Sequence, residues 1–117
     1  LDPVTANRAA DLDAEADLAA LTCEHFAPLV GQAFMLSAAL PDGEATLPLV
    51  LLEAKALPHP PFKGRQGFAL TFTGPGQPCW PQGTYRLGHG TWRTVLDVFI
   101  VPVAADAHAV SYQSIFN

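Results

Sequence analysis

The run Leu96-Asp97-Val98-Phe99-Ile100-Val101-Pro102-Val103 places apolar side chains at odd and even positions alike. Side chains of a strand alternate between faces, so this stretch asks for cover on both sides and belongs in the middle of a fold. Just upstream, Gly83-Thr84-Tyr85-Arg86-Leu87 alternates polar and apolar residues and breaks at Gly88-His89-Gly90. The two segments read as a β-hairpin onto which the rest of the chain is wrapped.

Working outward, four more strands are expected. Phe34, Leu36, Ala38 and Leu40 share a face of the first, which ends at the Pro41-Asp42-Gly43 turn. The second covers Leu47 to Leu57, with Leu47, Leu49 and Leu51 on one face and Val50, Leu52 and Ala54 on the other; Pro48 suggests an edge or a bulge. The third alternates most cleanly, with Phe68, Leu70 and Phe72 against Ala69, Thr71 and Thr73, and the last runs from Val110 to Phe116 with Val110, Tyr112 and Phe116 together. Six strands separated by Gly and Pro turns predict an all-β domain, a small barrel or sandwich with mainly antiparallel neighbours. Ahead of them, Thr22 is a good N-cap for a short helical turn through Ala27, although His25 stands where a capping box would have Glu. That turn is expected to end at Pro28 and Gly31, to supply Phe26, Leu29 and Val30 as apolar plugs, and to close one end of the β structure.

The 117 residues, half of them apolar, suit one β domain over 21–117 preceded by an acidic arm over 1–20. Ala, Leu and Asp in the arm favour a helix from about Asn7 to Leu21, with Leu12 and Leu18 as its anchors on a partner or on a second copy of the chain. Of the net charge of −5, all of it falls in residues 1–25, where six acids meet Arg8 alone. A near-neutral body with an acidic head argues against nucleic acid and against anionic membrane surfaces, both of which require clustered Lys and Arg. No apolar run reaches the length of a spanning helix and the start lacks signal-peptide order, so the chain is expected to be soluble, with the cytoplasm favoured.

Candidate chemistry is sparse. His25, His59, His89 and His108 are scattered without metal-ligand spacing, and Cys23 and Cys79 read as two unrelated thiols, so no metal and no cofactor is expected. An enzyme would need Cys79, His89, Glu53 and Asp97 to converge, but Glu53 and Asp97 have Lys55 and Arg86 as plain surface partners. Pro58-His59-Pro60-Pro61-Phe62-Lys63 fits a loose polyproline pattern that also suits an ordinary crossing loop. Phe62, Trp80 and Trp92 all lie near strand ends. They either form an exposed patch for a protein partner or are tucked in as caps of the core.

Leu21-Thr22-Cys23-Glu24-His25-Phe26-Ala27-Pro28-Leu29-Val30-Gly31, Pro81 to Leu87, Phe99 to Val103 and Ile115-Phe116-Asn117 together resemble DUF6916, a family of small bacterial domains. The resemblance runs from about Leu21 to the end of the chain. It implies a compact β domain, transfers no catalytic position, and suggests association with proteins like those of phage tail collars. The expected function is a non-enzymatic interaction or assembly module that binds a protein partner or itself. The alternative is a β-barrel holding a small molecule between its walls.

Overall fold

A computed structural model describes residues 21–58 and 66–116. These residues form a closed six-stranded barrel in the order β1-β2-β3-β6-β5-β4, with every neighbouring pair antiparallel. The strands are β1 (Ala33–Leu40), β2 (Gly43–Ala56), β3 (Phe68–Pro75), β4 (Gly83–His89), β5 (Leu96–Ala105) and β6 (Ala109–Phe116). A helical turn, α1 (Cys23–Phe26), runs on through a 3-10 turn (Ala27–Leu29). The expected helix from Asn7, with Leu12 and Leu18, and the loop residues His59 to Arg65, with Phe62, lie outside the described residues.

Alternation fixes which side chains fill the barrel. Phe34 and Leu36, then Leu47, Leu49 and Leu51, then Phe68, Leu70 and Phe72 point inward from β1, β2 and β3 and are buried. Leu87, Leu96, Val98, Ile100, Val110 and Tyr112 complete the lining. Burial of a side chain of this size contributes about 1.5–3 kcal/mol.

At one end α1 closes the barrel. The Thr22 N–H donates to His25 Nδ1 at 2.9 Å, so the imidazole takes the part of the missing Glu and completes the capping box. Phe26 enters the core and meets Phe68, Trp92 and Phe116 at ring-centroid distances of 5.7, 6.0 and 5.9 Å. Pro28 sits inside the 3-10 turn rather than ending it, because its lacking N–H costs nothing at a first-turn position. Gly31, at φ 90°, provides the left-handed residue that turns the chain into β1. Leu29 is a plug as expected, whereas Val30 is exposed.

Four other expectations are corrected. Leu40 is exposed, because it closes the hairpin with Gly43 at the outer tip of the β1–β2 pair. A bulge in β2 between Leu51 and Glu53 places Leu52 and Glu53 both outward, so Ala54 changes face and packs against the core. β4 does not stop at Gly88; it continues to His89, because Gly88 and His89 still pair with Met35 and Phe34. Most consequential, β5 is covered on its inner face only. Leu96, Val98 and Ile100 are buried, while Phe99 and Val103 are each 51% exposed.

Candidate interaction surface

The two tryptophans do not share a patch. Trp92 is 9% exposed and stands edge-on to Phe26 and Phe34 at the α1 end. Its Nε1 is buried without a hydrogen-bond acceptor. Trp80 belongs to the β3–β4 crossing at the opposite end, half-buried over Tyr85 at 5.2 Å, with its backbone N–H donating to the Tyr112 hydroxyl at 3.1 Å. That crossing is packed tightly: a Cβ on Gly76 would lie 2.8 Å from the Ala107 carbonyl oxygen.

Nor do the residues with chemical potential converge. Cys79 is exposed in the Trp80 crossing, whereas His89 ends β4 at the far end of the barrel. Glu53 and Asp97 are both exposed on the outer wall, on β2 and β5, with β1 and β4 between them. Asp97 faces Arg86 across the β4–β5 ladder. Among the described residues, no group of three His, Cys, Asp or Glu side chains is placed to hold a metal ion.

His89 is fixed as a neutral ring. Its Nδ1 accepts from the Thr91 N–H at 3.1 Å, which leaves the proton on Nε2, facing Gln32 Oε1 at 2.7 Å. Burial against Phe34 and Trp92 holds its pKa below the ordinary imidazole range. Burial and then the adjacent Glu24 carboxylate push the Cys23 thiol up, so it is protonated and unreactive at neutral pH. Burial also raises the Tyr112 hydroxyl, against the opposing effect of the Trp80 N–H.

What the outer wall does carry is a group of exposed apolar side chains around Gly88. Across the β1–β2 ladder Ala33 faces Val50 and Met35 faces Pro48; across the β1–β4 ladder Met35 faces Gly88. Beyond Gly88 comes Val95, whose Cγ1 would lie 3.4 Å from a Cβ at that glycine. The bare backbone at Gly88 forms the floor of a groove of about 480 Å³ flanked by Met35 and His89. Met35, Val50 and Val95 are exposed on it. The Gly31 N–H donates to the Leu51 carbonyl and the Leu51 N–H to the Gln32 carbonyl, and Val30 and Leu52 next to these bonds are also exposed. Soluble monomers rarely leave such surfaces contiguous without a use for them.

Alternation marks which apolar side chains a strand buries and is silent on those it leaves exposed. The signal was present in Leu49-Val50-Leu51-Leu52, where apolar residues occupy both faces of a strand whose single inner face needs half of them.

In a comparison with protein families, the model of DUF6916, described as a domain of unknown function, matches residues 21–116. No curated protein and no solved structure matches the chain.

Proposed function

The chain belongs to the DUF6916 family, and from that premise we propose that it is a non-enzymatic interaction or assembly module that binds a protein partner through the outer face around Gly88. The observation that carries this reading is the groove flanked by exposed Met35 and by His89, with exposed Val95 next to Gly88 and exposed Val50 across the ladder from Ala33. Exposed apolar side chains grouped around a concavity mark interaction surfaces on folded domains. Two further features support it. Cys79, His89, Glu53 and Asp97 are dispersed over the molecule. Phe34, Leu36, Phe68, Leu70, Phe72 and Tyr112 occupy the space inside the barrel, which speaks against the small-molecule alternative. The association suggested by the family resemblance makes tail-collar-like proteins the first partners to try.

The direct test is a photo-crosslinking amino acid placed at position 35 in the native host, with position 55 as the control. Adducts to a defined protein, or to a second copy of this chain, at position 35 alone are expected. Equal crosslinking from both positions would remove the groove as the binding face.

A further inference from the structure

The His89 ring joins two segments far apart in the chain, the entry to β1 and the turn after β4. On one side its Nε2–H donates to Gln32 Oε1 at 2.7 Å. Gln32 is itself held in place, because its N–H donates to the Leu29 carbonyl at 3.0 Å and its carbonyl accepts from the Leu51 N–H at 3.1 Å. On the other side Nδ1 accepts from the Thr91 N–H at 3.1 Å, with Thr91 Oγ1 2.8 Å away. The Trp92 N–H donates to the His89 carbonyl at 2.9 Å and closes the turn from His89 to Trp92.

The two sides respond differently to a proton. A neutral imidazole has one donor nitrogen and one acceptor, whereas the imidazolium has two donors and no acceptor. The bond to Gln32 needs a donor and survives. The bond from the Thr91 N–H needs an acceptor and is lost, which leaves the Thr91 hydroxyl as the acceptor within reach of the new Nδ1–H. The ring stays anchored on Gln32 and packed on Phe34, at 4.8 Å between centroids, so the turn is the part that yields. Gly90 gives it room, since a Cβ there would meet nothing within 4 Å.

The consequence falls on the groove, which Gly88, His89 and Gly90 line together with Ala33, Phe34 and Met35. Protonation shifts the Gly90 turn and puts a positive charge on a wall otherwise made of apolar side chains and glycine backbone. An apolar group laid over that charge strips its water and offers no partner in return. The residues that touch the ring, Gln32, Phe34, Thr91 and Trp92, are not acidic and do not offset it. β1 carries no charged residue, and the charged residues of β4 and of the turn, Arg86 and Arg93, are cations. Burial of the ring acts in the same direction and favours its neutral form.

We propose that protonation of His89 switches the Gly88 groove: the neutral ring holds the Gly90 turn in the form that receives an apolar partner, and the charged ring releases the turn and weakens that binding. The inference rests on the reading of this groove as a binding face. A partner that keeps the ring neutral loses about tenfold in affinity for each pH unit below the ring's own pKa.

The test follows the 15N-labelled full chain by NMR as the pH is lowered from neutral, beside the His89→Gln variant. At neutral pH the ring nitrogens of His89 should report the Nε2–H tautomer. As His89 titrates, the Gly90 and Thr91 amides and Met35 should shift along the same curve, with the Thr91 amide proton moving upfield as its bond is lost. In His89→Gln that step should be absent. An Nδ1–H tautomer at neutral pH, or Gly90 and Thr91 amides that stay still while His89 titrates, would overturn the proposal. These readings need no partner, so they are decided separately from crosslinking at position 35.

Discussion

The inner and outer faces of the barrel wall are made from the same strands and from similar side chains, yet they answer to different demands. Inside, Phe68, Leu70 and Phe72 are fully buried, and the closed barrel could not form without residues of that size. Outside, Met35, Val50, Leu52, Val95 and Phe99 are about half exposed, and the fold gains less from each of them. The difference separates what the chain needs in order to fold from what it can spare.

Substitution on the two faces should make that separation measurable. Phe72→Ala leaves a cavity beside Phe34, whose ring lies 5.5 Å away, and should cost about 3–5 kcal/mol in urea unfolding. Its outer counterpart, Phe99→Ser, should cost about 1 kcal/mol, through lost strand propensity and the half-covered ring. Comparable losses from both would break the comparison.

A smaller effect probes the wall itself. A Cβ at Gly74 would stand 2.7 Å from Leu49 Cδ2 and 3.3 Å from the Pro48 carbonyl oxygen. Gly74→Ala should therefore cost about 1–3 kcal/mol by thermal unfolding, because Leu49 is buried and has little room to yield.

The smallest effect lies where the faces meet. The folded protein protonates His89 less readily than the unfolded chain does, so this group's contribution is complete above the ordinary imidazole value of 6.5. As pH falls below that value the contribution declines, until the depressed value of the folded state has been passed. Protonation at Nδ1 also breaks the bond from the Thr91 N–H. His89→Gln should flatten this acid-side decline in a series of melts from neutral pH downward; an unchanged slope would contradict the assignment.

The fold was legible in the sequence wherever alternation had one reading. Phe68 to Thr73 identified a half-buried strand, and Phe26 announced the plug that closes the barrel. Alternation fails where a bulge shifts its phase, as at Leu52 and Glu53, and where both faces are apolar, as in β5. In β5 burial alone cannot say that Phe99 faces out. His25 does not look like a capping residue because that position usually holds Glu or Gln, although any acceptor there suffices. The Gly88 groove depends on strand order. That order is not encoded in local pattern, and no reading of Gly88 by itself could have set Val95 beside it.

The central claim is that the outer face around Gly88 meets a protein. Affinity capture from an extract of the native host, with the full chain and with its Met35→Glu/Val95→Glu variant, tests it most directly, once circular dichroism has shown equal folding. The account predicts that a defined set of proteins, or additional copies of the chain, is retained by the natural protein and lost by the variant, while a Thr46→Glu control retains them. Identical sets on the natural protein and on the double variant would contradict it.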